Sequence, residues 1–146
     1  MDVNPEGTLL ASGDDNGDVI LVDLPSSEIH VTLAAHTSLC TAVKFSPYAE
    51  NEVFSGGMDC AVKSWDIETS EPFWEETMGQ QQDTETPQVV NPPMIFDLAV
   101  PEKSDWDGLM AAACGDGSIF LRIDSEGDQG TSGNTSDTHM TLVIMM

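Results

Sequence analysis

Basic residues are scarce in this chain. Four lysines and arginines stand against 26 aspartates and glutamates, for a formal charge of −22. Such a chain repels phosphate backbones, which argues against nucleic acid as a partner. The same repulsion argues against an anionic membrane surface. The excess charge reads first as a source of solubility, and second as a match for a partner with a basic face. No apolar run is long enough to span a bilayer, and the opening MDVNPEG is too acidic and polar for a secretory signal. Cysteine is sparse too. Cys40, Cys60 and Cys114 are odd in number and lack Cys-x-x-Cys spacing, so they read as reduced thiols of an intracellular protein, cytoplasmic or nuclear. His36 and Cys40, four apart, are a thin basis for zinc. The sequon Asn134-Thr135-Ser136 is idle in that compartment.

Among what is present, SGDDNGDVILVD (Ser12 to Asp23) has the look of a calcium loop. Oxygen-bearing side chains fall at Ser12, Asp14, Asn16 and Asp23, with Gly17 at the sharp-turn position. Such a loop should run into a helix. Here DVILVDLP follows, rich in β-branched residues and closed by Pro25, which reads as a strand with a stop. Asn16-Gly17 is a tight-hairpin signal, because both residues tolerate positive φ.

The frame recurs as SGGMDCAVKSWD (Ser55 to Asp66) and, more weakly, as AACGDGSIFLRI (Ala112 to Ile123). Its turn position is Asn16, Asp59 and Asp116, and its apolar strand position is Val19, Val62 and Ile119. The metal-ligand position is Asp14, Gly57 and Cys114, so the repeat keeps turn and strand and drops the metal chemistry. Upstream, MDVNP, VKFSP and DLAVP correspond. Each unit reads as four short strands joined by tight turns. The first two frames lie forty-three residues apart, Asp23 to Asp66, within the period of about 40–45 expected when each unit forms one propeller blade.

At this point the second unit resembles a WD40 repeat. His36 opens it, Ser55 and Asp59 stand between, and Trp65-Asp66 closes its third strand. The first unit departs, with Val22 for the tryptophan and Asn16 for the turn aspartate; the third departs further, with Arg122-Ile123. The resemblance implies that His36, Ser55, Asp59 and Trp65 form a hydrogen-bonded chain inside one blade. A buried imidazole needs partners on both nitrogens, which a turn carboxylate and a strand hydroxyl can supply; the indole N–H needs an acceptor. The same residue types could make a hydrolase triad, but no Gly-x-Ser-x-Gly elbow surrounds Ser55.

The expected fold is all-β: a partial WD40 β-propeller of about three four-stranded antiparallel blades, not a closed ring. Residues 1–123 hold the repeats, with blades near 1–33, 36–78 and 94–123. Residues 75–93 read as an acidic, solvated inter-blade loop. Residues 124–146 read as a low-complexity, disordered tail. Within it, TLVIMM is either an outer strand of the third blade or a non-native ending from truncation or altered splicing, and the missing turn spacing favours the second. The expectation is therefore a fragment of a longer protein, prone to self-association because an open arc exposes two sheet faces. The implied function is a non-enzymatic scaffold for other proteins, without cofactor or metal. Similar propellers serve as substrate receptors of cullin-4 ubiquitin ligases through the adaptor DDB1, often by Trp-Asp-x-Arg; here Glu68 follows Trp65-Asp66-Ile67. Calcium binding at Ser12–Asp23 and hydrolysis by His36, Ser55 and Asp59 are the alternatives.

Overall fold

In the computed structural model, residues 1–79, 91–102, 108–124 and 139–145 are described. They form three four-stranded antiparallel sheets, each a meander in chain order. The first holds β1 (Asp2–Val3), β2 (Leu9–Gly13), β3 (Val19–Asp23) and β4 (Glu28–Leu33). The second holds β5 (Cys40–Phe45), β6 (Glu52–Gly57), β7 (Ala61–Asp66) and β8 (Pro72–Thr77). The third holds β9 (Ile95–Ala99), β10 (Leu109–Cys114), β11 (Ser118–Asp124) and β12 (His139–Met145). Short β-branched runs such as VILVD suit a pleated, half-buried surface. Among the described residues no helix is long and apolar enough to cross a membrane.

The turns repeat as closely as the strands. Gly17 (φ 96°), Cys60 (φ 64°) and Gly117 (φ 89°) occupy the same frame position, all left-handed. Ser27 and Ser70, both at φ 61°, are likewise equivalent, one turn further on. Side chains stabilise these corners. Asp14, Asp59 and Asp116 accept N–H bonds from Asp18, Ala61 and Ser118, while Asp23 and Asp66 accept from Ser26 and Glu68. Short polar side chains that bond nearby backbone groups favour such turns over regular structure.

Two apolar layers join the sheets. Ala11, Val19, Leu21 and Leu33 of the first meet Val43, Phe45, Val53 and Trp65 of the second. Ala42, Phe54 and Val62 of the second meet Ile95, Leu98, Met110 and Phe120 of the third. Full burial of each such large side chain contributes about 1.5–3 kcal/mol. Close backbone approach at equivalent glycines completes the contact. A Cβ at Gly13 would fall 2.6 Å from Cys40, and one at Gly56 would fall 2.4 Å from Ile95, where Cys40 and Ile95 each begin the next sheet's first strand. The Asp2 carboxylate reaches across to the Phe45 N–H at 3.0 Å and to Lys44 Nζ at 3.2 Å.

The sheets stack as an arc and do not close into a ring. The frame positions of Ala11, Val19 and Leu21 are taken in the third sheet by Ala111, Ile119 and Leu121, which are only half-buried, since among the described residues no further sheet covers them. Two features differ from the sequence expectation. Glu75–Thr77 belong to β8 rather than to the 75–93 loop, of which 80–90 lie outside the described residues. In the 124–146 segment, 125–138 also lie outside them, but His139–Met145 pair with β11 along its length. The first reading of TLVIMM, an outer strand, therefore describes its structure. Its uncharged β-branched run satisfies the backbone of β11, which turn spacing alone does not reveal.

Candidate functional site

His36, Ser55, Asp59 and Trp65 are brought together in the second sheet. β6 and β7 pair with Val53 opposite Trp65 and Ser55 opposite Lys63. Ser55 and Trp65 are thus diagonal neighbours on one face, within reach of a long side chain. His36 lies in the connection from β4 to β5, with its N–H bonded to the Gly17 carbonyl at 2.9 Å. The Thr37 N–H donates to Asp59 Oδ2 at 2.9 Å. His36 Nδ1 is 2.9 Å from Asp59 Oδ1, His36 Nε2 is 2.9 Å from Ser55 Oγ, and Trp65 Nε1 donates to Ser55 Oγ at 3.0 Å.

An ionised carboxylate only accepts, so Nδ1 carries the proton toward Asp59 and Nε2 accepts from the serine hydroxyl. The serine oxygen in turn accepts from the indole, and every polar atom of the chain is partnered. Burial holds His36 below the ordinary imidazole pKa even though the Asp59 charge and hydrogen bond pull it up. Burial pushes Asp59 up, yet bonds from Thr37, His36 and Ala61 outweigh it and hold the carboxyl below its ordinary value. At neutral pH the pair is therefore a hydrogen bond between a neutral ring and a carboxylate.

The order Asp–His–Ser is that of a hydrolase triad, but its environment differs. Ser55 is 0% exposed, in mid-strand beneath Trp65. A substrate carbonyl must approach a nucleophile to about 3 Å, and this hydroxyl has no open side. The calcium reading fares no better. Asp23 pairs with Leu9 at the far end of the β2–β3 hairpin from Asp14. Asp14 Oδ1 is taken by the N–H groups of Asn16 and Asp18, and these backbone bonds, led by Asp18, hold its carboxyl low. Among the described residues no cluster of three His, Cys, Asp or Glu could hold a metal. His36 has both nitrogens engaged, and burial pushes the Cys40 thiol up to about 12.

Sequence reasoning missed two participants. Gly57 is the first: a Cβ there would lie 2.6 Å from both Asp59 Oδ1 and His36 Nδ1, so only glycine leaves room for the pair. Its signal was present, since Gly57 fills the frame position of Asp14 and Cys114. Arg122, at the third unit's tryptophan position, is the second. Its guanidinium stacks 4.1 Å from the Trp74 ring centroid, joining the third sheet to the second. Near the inner ends of β1, β5 and β9 an open groove of about 410 Å³ has an apolar floor of Val3, Phe45 and Val100, edged by Lys44 and Glu102.

Antiparallel four-stranded sheets stacked face to face in chain order define a β-propeller arc. The family model "WD domain, G-beta repeat" matches residues 27–66, so the chain carries a WD40 repeat there, running from β4 through the Trp65-Asp66 pair. Pre-mRNA-processing factor 19 of Oryza sativa subsp. japonica is 36% identical over 66 residues, covering 44% of this chain and 12% of its own length. WD repeat-containing protein ATCSA-1 of Arabidopsis thaliana is 31% identical over 96 residues, covering 66% of this chain and 20% of its own. The β-propeller domain of Cps50 (Swd1) from Myceliophteria thermophila superposes with a TM-score of 0.69 at 18% identity, over 97% of this chain and 37% of that one. The likeness to Cps50 is one of fold. The chain spans 7% to 20% of the length of the curated relatives it matches.

Proposed function

We propose that the chain is a non-enzymatic scaffold for other proteins, and that His36, Ser55, Asp59 and Trp65 are a structural brace rather than catalytic machinery. The enclosure of the Ser55 hydroxyl between an imidazole and an indole carries this reading. A fluorophosphonate probe tests it: folded chain is expected to leave Ser55 unmodified by mass spectrometry. Labelling at Ser55 that vanishes in His36→Ala would make the set an active site. The three sheets are then blades near 1–33, 36–78 and 94–123, joined by a solvated loop across 75–93.

Partner proteins meet a strongly acidic surface, so basic faces on those partners are favoured. A relative named for pre-mRNA processing supports a nuclear place among RNA-processing assemblies. With a charge of −22, the chain would act there by contacting proteins rather than RNA. The runs FSGGMDCAVKSWDI and EPFW are similar to those of WD repeat-containing protein 53, and a partial chain or homologue of it is the finer reading. That reading brings the cullin-4 adaptor DDB1 as a partner. Against it, Glu68 is exposed where the docking arginine would stand, its N–H tied to Asp66. Immobilised DDB1 should therefore retain the chain weakly and Glu68→Arg more strongly; no retention of either removes the adaptor.

A further inference from the structure

The outer strands β4, β8 and β12 each leave one edge without backbone pairing among the described residues. Such an edge is a row of donors and acceptors open to another strand, and proteins blunt it with charge, proline or a bulge. β4 (EIHVTL) carries Glu28 and a bulge between Leu21 and Val22 of its pairing with β3. β8 (PFWEET) carries Pro72, Glu75 and Glu76, with an irregularity at Ser64 and Trp65 of β7. β12 (HMTLVIM) has no acid, lysine, arginine or proline in seven residues. It pairs with β11 without a shift, from Ser118 opposite Met145 to Asp124 opposite His139. Leu142 and Ile144 stand 51% and 41% exposed.

We propose that β12 is a self-association edge: two copies of the chain join β12 to β12, antiparallel about a two-fold axis, so that two third sheets become one of eight strands. Charge selects a second copy over a foreign strand at this place. At −22 a basic partner is drawn to the acidic turns, whereas β12 is the strip where two like-charged copies repel least. It also lies at the outer margin of its sheet, away from most of that charge. A two-fold antiparallel pairing is self-complementary and sets Leu142 and Ile144 of both strands on one face as cross-strand neighbours. It consumes both edges and so ends at a dimer.

Sedimentation velocity and hydrogen exchange on the full chain across a wide concentration range test this. The expected result is a doubling of mass with concentration, and amide protection within 139–145 that rises in step. Leu142→Lys with Ile144→Lys places charge at exposed positions and should restore the monomer. Because both changes lower the net negative charge, that loss cannot come from added repulsion between copies. Ile29→Lys on β4, at a side chain 66% exposed, should leave the dimer intact. A monomer throughout, β12 protection independent of concentration, a dimer surviving the double substitution, or one lost equally in Ile29→Lys would overturn the proposal. The exchange measurement stands without any variant.

Discussion

At the residue scale the tetrad sets the largest single-site effects. His36→Ala strands the Ser55 hydroxyl and Asp59 carboxylate, and each unsatisfied buried group costs about 1–3 kcal/mol. A urea melt should show a lowered midpoint, and an unchanged one would count against the brace. Gly57→Ala should be at least as damaging as its single methyl suggests, because the clash falls on the Asp59–His36 pair itself. Acid acts through the same residues. The folded state holds His36 below its unfolded value of 6.5, so the unfolded chain binds more protons there. Stability is full above that value and is lost as pH falls through it toward the folded pKa. Asp59, also lowered from 3.8, adds a second loss at lower pH. Thermal melts at stepped pH should show the first decline in wild type and a flatter profile in His36→Gln.

At the scale of elements, the turns are where strain and relief can be measured. Cys60 holds a left-handed φ of 64° where Gly17 and Gly117 stand in the other units. A non-glycine residue there costs roughly 1–2 kcal/mol, partly offset by the unfolded-chain freedom that glycine adds. Cys60→Gly should therefore raise the urea midpoint by the equivalent of about 0.5–1 kcal/mol. A lowered midpoint would mean that the thiol packs better than the backbone suffers. The strand–turn–strand reading of LLASG, DDNGD and VILVDL was legible because alternation and Asn-Gly chemistry are local. So was the joining of His36 to Trp65, through matched spacing in the repeat. The role of Gly57 and the Arg122–Trp74 stack were not, since both depend on which side chains a neighbouring turn or sheet presents. β12 was misjudged for the same reason: its partner β11 lies across an acidic segment with no turn signal.

For the whole molecule, charge and incomplete coverage set the stability. Excess negative charge destabilises a compact state by self-repulsion, and salt screens it, with a Debye length near 8 Å at physiological ionic strength. Melting temperature should rise between low and moderate salt, and a flat response would place the acids too far apart to matter. The half-buried Ala111, Ile119 and Leu121 mark the face at which any further blade would add its own apolar layer.

The match at 27–66 starts with β4 and ends with β7. The unit of heredity and the unit of folding are thus out of phase by one strand. An exon shuffled at that boundary moves the rim of one sheet together with the body of the next, so no single copy can be excised without leaving two damaged neighbours. Duplication in this architecture stitches sheets as it adds them.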